Sequence, residues 1–142
     1  MTNTANNLGF TPYQCTAAEE YMNEHQLAHI EGILLAWQQS LVNEAGKTIT
    51  HMRDELTSFP DPLDNAMLEE EFSIELKTRD RERKLSKKIE DALQRLHTPD
   101  FGYCEACGIE IGLSRLEARP TTTLCIECKT LAETQEKHRL DR

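Results

Sequence analysis

Phe59-Pro60-Asp61-Pro62-Leu63-Asp64-Asn65-Ala66 decides the fold. Each proline lacks an N–H donor and restricts the residue before it, so two this close cannot lie inside one continuous helix. Asp61-Pro62 then restarts a helix. Asp61 suits the N-cap, Pro62 the first helical position, and Asp64 the third, where a carboxylate meets unpaired N–H groups. The stretch reads as a sharp reversal between two long antiparallel helices, with residues 59–66 at the tip.

Working outward, Asn23 serves as an N-cap with Gln26 three residues on, and a first helix is expected over 23–58. Leu27, Ile30, Leu34, Trp37, Leu41, Ala45, Ile49, Met52 and Leu56 step by three or four, one apolar stripe along its length. At 1.5 Å per residue such a helix is roughly 50 Å long. A second helix is expected from Pro62 to about Leu96. Its stripe breaks: Leu68, Phe72 and Leu76 share one face, while Leu85, Ile89, Ala92 and Leu96 lie half a turn away. An antiparallel pairing about the tip sets Ile49 near Phe72, Ala45 near Leu76, Trp37 near Leu85 and Leu34 near Ile89. Charge is segregated as well. Residues 61–75 hold six acids and no bases, whereas 77–88 hold Lys77, Arg79, Arg81, Arg83, Lys84, Lys87 and Lys88 against Asp80 and Glu82. Such a run is either a solvated helical face or a docking patch for an anionic partner.

Residues 1–22, rich in Asn, Thr and Ala, read as a flexible N-terminal arm with one short helix around residues 17–21. Cys15 stands alone there and reads as a bystander thiol. The chain of 142 residues is 29% charged and 6% aromatic, which favours helices laced with solvent over one large core. A net charge of −9 argues against direct DNA or RNA binding, which needs a basic surface. Residues 1–13 lack the apolar segment of a signal peptide, and no run approaches the roughly 18 apolar residues of a membrane span. A cytoplasmic monomer is expected, with no membrane association.

After Thr98-Pro99-Asp100, a helix stop, come Cys104-x-x-Cys107 and, after a spacer of seventeen residues, Cys125-x-x-Cys128. The spacing is that of a structural zinc site. Each knuckle offers two thiolates on a tight turn, and two knuckles close a tetrahedron with bonds of about 2.3 Å. Gly102 and Gly108 suit turns that need positive φ. Four thiolates leave no open position, so one zinc would be structural and not catalytic. Paired disulfides fit a cytosolic chain poorly, and a dithiol redox motif needs only one pair. In the spacer, Leu113, Leu116 and Arg119-Pro120 should pack the base of the hairpin. Residues 129–140 read as a C-terminal helix. Residues 100–128 hold five acids against Arg115 and Arg119, an improbable composition for a DNA-reading finger. The fold class is therefore mainly α: a long antiparallel coiled-coil hairpin over 23–97 and a small four-Cys zinc-finger domain with a C-terminal helix over 98–142.

The Asp-Pro-x-Asp-x-Ala tip, the run Arg79-Asp80-Arg81-Glu82-Arg83-Lys84, and Phe101-Gly102-Tyr103-Cys104-x-x-Cys107-Gly108 with Leu116-Glu117-Ala118-Arg119-Pro120 together resemble the DksA/TraR family of RNA-polymerase-binding transcription regulators. The resemblance covers nearly everything after residue 19. It implies a bacterial factor, not an enzyme, whose hairpin enters the secondary channel of RNA polymerase core without binding DNA. It would shift promoter open-complex stability together with the alarmone ppGpp, repressing stable-RNA promoters and activating some biosynthetic ones. The family's active-centre tip falls on Asp61, Asp64 and Ala66, and its hairpin contact with polymerase on Arg81. Its ppGpp contacts fall on Leu85, Lys88, Arg119 and Lys129, and its zinc ligands on Cys104, Cys107, Cys125 and Cys128. Three of the four ppGpp positions are basic, which a pyrophosphate ligand requires. The tip departs from the family pattern at Asn65, where relatives carry Arg, and nothing is carried over onto the N-terminal arm.

Two alternatives accompany this reading. A transcript-cleavage factor of the Gre type also offers an acidic hairpin tip but lacks four-Cys zinc. A plain zinc-stabilised adaptor would bind some other protein.

Overall fold

The computed structural model describes residues 3–56 and 62–141, without the side chains of residues 48, 51, 52, 54–56 and 62–66. It is mainly α, with helices α1 (Thr4–Asn7), α2 (Glu24–Leu56), α3 (Pro62–Arg95), α4 (Leu113–Ala118) and α5 (Ile126–Leu140). Among the described residues the extended pairing is a single bridge, Tyr103 to Glu110. Among the described residues no helix is long and apolar enough to cross a membrane.

The start of α2 follows from its sequence. The Asn23 carboxamide oxygen accepts the Gln26 N–H at 2.9 Å, and the Gln26 side chain accepts the Met22 N–H at 2.9 Å. This is the reciprocal logic of a capping box, with the return bond landing one residue before the cap. At the far end of the hairpin, α3 stops at Arg95, whose carbonyl accepts the Thr98 hydroxyl at 2.6 Å ahead of Pro99. The proposed N-cap Asp61 lies outside the described residues.

The core sits at the base of the hairpin. Ile30, Ile33 and Leu34 of α2 and Ile89 and Ala92 of α3 are fully buried, with Leu96, Phe101 and Leu116 closing the same cluster. Each such aliphatic side chain contributes about 1.5–3 kcal/mol of burial free energy. Ile33 is absent from the expected stripe. At this level α2 packs against α3 on one side and against α1 and α4 on the other, so its apolar face is wider than a two-helix seam requires. Trp37 and Leu85, like Leu27 and Leu41, are partly buried and pack against this cluster.

Along α3 the seam runs unbroken, but not where the sequence stripe placed it. Leu68, Phe72, Glu75, Arg79, Glu82, Ser86, Ile89, Leu93 and Leu96 step by four and three, and all are half-buried or buried. That is a coiled-coil repeat. Leu76, expected in the seam, is instead 53% exposed. The apparent jump of face arises because three successive seam positions, 75, 79 and 82, are charged.

The N-terminal segment lies on the hairpin base. Ala5 is buried in the core, and Leu8, Phe10 and Met22 pack against it. The Tyr13 N–H donates to the buried Glu117 carboxylate at 3.0 Å. The helix expected around residues 17–21 is not formed; turns occupy 17–18 and 21–22, and the short helix lies instead at Thr4–Asn7, where the Asn3 side chain caps the Asn6 N–H at 3.1 Å.

Candidate functional site

The two cysteine knuckles are built by different means. The first is a turn closed by backbone bonds. The Cys104 N–H donates to the Ile109 carbonyl at 2.8 Å, the Gly108 N–H to the Cys104 carbonyl at 2.9 Å, and the Ile111 N–H to the Gly102 carbonyl at 2.8 Å. Gly102 and Gly108 take φ values of 89° and 77°, the left-handed region expected of them. The second knuckle is the first turn of α5. Cys125 is its N-cap, and its sulfur accepts the Cys128 N–H at 3.5 Å. The C-terminal helix therefore starts at Ile126, earlier than the expected 129, because a ligand doubles as its cap. A bond from the Glu105 N–H to the Thr123 carbonyl, 2.9 Å, joins the two knuckles.

The sulfurs of Cys104, Cys107, Cys125 and Cys128 lie within 4.8 Å of one another. Those of Cys107 and Cys125 are 3.7 Å apart, and a zinc tetrathiolate with bonds of about 2.3 Å has edges of about 3.8 Å. The donor set fits zinc: four soft sulfurs, no open position. Without a cation the thiols divide protons unequally. The Cys125 backbone N–H, against the effect of burial, holds Cys104 down to about 6. Hydrogen bonding to Cys125, then to Cys107 and Cys104, pushes Cys128 up to about 12. The Ile109 N–H pulls Cys107 down, but burial and the neighbouring sulfurs outweigh it and leave Cys107 raised. The pocket thus disfavours four bare thiolates, and a divalent cation that takes their protons' place relieves that repulsion.

A second constellation adjoins the knuckles. Lys88, Asp91 and Arg95 of α3, Arg115 and Arg119 of the α4 region, residues 121–124 and Lys129 of α5 line an open cleft of about 310 Å³. Two of its arginines hold the walls. Arg95 donates to the Thr121 carbonyl at 3.5 Å, and Arg115 to the Leu124 carbonyl at 3.2 Å. Lys129 has Glu133 at 3.7 Å, an exposed pair. Among the described residues, Lys88 and Arg119 have no carboxylate within ion-pair reach. The cleft therefore presents several cations from three separate elements with little internal neutralisation, an arrangement suited to a polyanion.

The structure brings Lys88, Arg119 and Lys129 to this one cleft. Leu85 does not line it; one turn before Lys88, it packs on the core cluster. Arg119, expected to pack the hairpin base with Pro120, is exposed, while Leu116 and Pro120 are fully buried there. Arg81 is exposed on α3. Asp64 and Ala66 belong to the first turns of α3, with side chains outside the described residues, as is Asp61 entirely. Sequence reasoning missed Arg95 and Arg115 as cleft walls; the signal was their cation type beside threonines in 121–123. It also missed Tyr21, whose hydroxyl reaches the first knuckle.

Residues 26–96 match the family described as DnaK suppressor protein DksA, N-terminal domain. Residues 99–133 match the prokaryotic dksA/traR C4-type zinc finger. The chain is 62% identical over 129 residues to the RNA polymerase-binding transcription factor DksA of Haemophilus influenzae, covering 91% of this chain and 89% of that protein. Against the protein of the same name from Escherichia coli K12 the identity is 62%, covering 91% and 85%. The structure of transcription factor DksA2 from Pseudomonas aeruginosa superposes with a TM-score of 0.79 at 37% identity, covering 94% of this chain and 98% of that one. The zinc-finger match and the sulfur geometry agree: the cofactor is one structural zinc.

Proposed function

The chain belongs to the DksA/TraR family, and from that premise we propose that it is a transcription regulator that binds RNA polymerase through the secondary channel and, with ppGpp, alters promoter open-complex stability. Stable-RNA promoters are repressed and some biosynthetic promoters activated. The observation that carries the reading is the match along nearly the whole chain to proteins named as RNA polymerase-binding transcription factors.

The proposed division is an N-terminal arm over 1–22, the hairpin over 23–97 with its tip at 59–66, and the zinc module with the C-terminal helix over 98–142. Cys104, Cys107, Cys125 and Cys128 fix the module against the hairpin base. Arg81 meets polymerase from the exposed flank of α3. Asp61, Asp64 and Ala66 act at the active centre. Lys88, Arg119 and Lys129 clamp ppGpp jointly with polymerase, and Leu85 fixes the helix turn from which Lys88 projects. The factor works as a monomer in the cytoplasm, binds no DNA by itself and cleaves no transcript.

The test pairs capture of core polymerase by the tagged chain with promoter-complex decay in the presence and absence of ppGpp. Capture and shortened lifetimes are expected. Lys88→Ala and Lys129→Ala should each reduce the ppGpp effect more than the basal effect, and equal loss of both would assign these lysines to docking. Failure to capture polymerase would refute the proposal, and cleavage of backtracked transcripts would favour a Gre-type factor.

A further inference from the structure

The N-terminal segment reaches the turn that carries the first knuckle through the Tyr21 hydroxyl. The first knuckle is carried on a two-stranded turn whose open end lies at Gly102 and Gly112. Into that end comes the Tyr21 hydroxyl. It donates to the Gly102 carbonyl at 2.7 Å and accepts the Gly112 N–H at 2.9 Å. The Gly102 carbonyl also takes the Ile111 N–H at 2.8 Å. The hydroxyl therefore stands as one more rung beyond the last backbone bond of the turn. The phenol ring is braced edge-on against Tyr103, with centroids 5.6 Å apart at 83°. Desolvation raises the Tyr21 pKa, so the phenol stays protonated and able to donate at neutral pH. Met22 closes the same end. A Cβ on Gly102 would lie 2.7 Å from the Met22 Cγ, so backbone and side chain are in full contact there.

We infer that Tyr21 is a positioning residue for the metal: by bridging Gly102 and Gly112 it holds the knuckle of Cys104 and Cys107 closed, so that the N-terminal segment governs zinc retention. The chain of influence is short. Cys104 lies two residues from Gly102, and its N–H and carbonyl are both committed to the same turn. Remove the rung, and Gly112 loses the acceptor of its N–H while Gly102 keeps a single donor. A half-buried amide without a partner favours opening, and opening at that end spreads the strands that carry two of the four ligands. Partners that orient metal ligands typically affect metal affinity by about 10–100-fold when removed. This inference rests on the zinc assignment, which elemental analysis of the unmutated chain tests separately.

The experiment uses the full chain loaded with zinc and a chromophoric chelator in excess, following the rate of zinc release. Tyr21→Phe should release zinc about tenfold faster, at the low end of that range. Tyr13→Phe is the comparison: it removes the Tyr13 hydroxyl bond to Glu19, 3.2 Å, without touching the knuckle, and should leave the rate unchanged. Amide hydrogen exchange supplies a second reading on the unmutated protein. Gly112 should be protected there, and Tyr21→Phe should lose that protection while α2 and α3 keep theirs. An unchanged release rate in Tyr21→Phe overturns the inference. So does equal acceleration in Tyr13→Phe, which would trace the effect to docking of the whole segment, or fast exchange at Gly112 before any substitution.

Discussion

The base and the middle of the hairpin share two helices and one coiled-coil repeat, yet they are held by different physics. At the base, Ile30, Leu34, Ile89 and Ala92 are all fully buried, with the zinc module and the N-terminal segment packed around them. In the middle, α3 offers Glu75, Arg79 and Glu82 to the seam, and the apolar side chains Val42, Ile74 and Leu76 are 59%, 57% and 53% exposed. The base has the burial of a small globular domain; the middle is a ribbon with little core. The lesson is that a long hairpin needs a core at one end alone. The rest is left free to carry charge and exposed apolar groups, which is what a surface for a partner requires.

The largest expected break in this comparison comes from zinc. Structural zinc contributes about 10–16 kcal/mol in zinc-finger peptides, and apart from cysteines the buried apolar side chains of residues 98–141 are Phe101, Leu116 and Pro120, too few to fold the segment alone. Metal removal by chelator, or Cys125→Ser, should loosen that module while most hairpin helicity persists. Circular dichroism and amide exchange together check this. Collapse of the whole helical signal would mean that the base depends on the module as much as the module on the base.

How much of this was legible beforehand differs by region for a physical reason. Helix ends were readable because Asn23, Pro62, Thr98 and Pro99 act through local backbone chemistry. The zinc site was readable because ligand type and spacing belong to the sequence. The seam of α3 was misphased at Leu76 because periodicity reads hydrophobicity, and Glu75, Arg79 and Glu82 hide a seam from that measure. The basic cleft gathers Lys88, Arg119 and Lys129 from three elements, so only the family resemblance placed them together in advance. The docking of the N-terminal segment rests on Tyr13 meeting Glu117 and Tyr21 meeting Gly102 and Gly112, contacts across many tens of residues that no local pattern encodes.

A matched pair of truncations measures the contrast directly. Ile89→Ala removes a fully buried side chain beside Ile30, Ile33 and Leu34 and should cost about 2–5 kcal/mol. Leu76→Ala removes a side chain already 53% exposed and should cost well under about 1 kcal/mol. Urea unfolding of both variants gives the two values on one scale. Similar costs would mean that the middle is packed as tightly as the base, and the comparison would fail.

The smallest expected effect has the opposite sign and bears on why the middle is polar. The Glu82 Oε2 is buried and, among the described residues, has no hydrogen-bond partner. It shares a groove with Leu41, Ala45 and Arg79. Neighbouring pairs such as Lys84 with Asp80, 3.3 Å apart, are exposed and lie on the helix surface, so they support α3 by only about 0.3–0.5 kcal/mol each and do nothing for the seam. A carboxylate in such a place carries a desolvation cost that an apolar residue of similar size does not. Glu82→Leu should therefore stabilise the hairpin by about 1 kcal/mol, read as a higher urea midpoint with an unchanged slope. If selection has kept Glu82 for the partner and not for the fold, the same variant should lose affinity for core polymerase as it gains stability. A loss of stability would instead show that Glu82 is a paired member of the seam, and that the middle of the hairpin is held together by its charges.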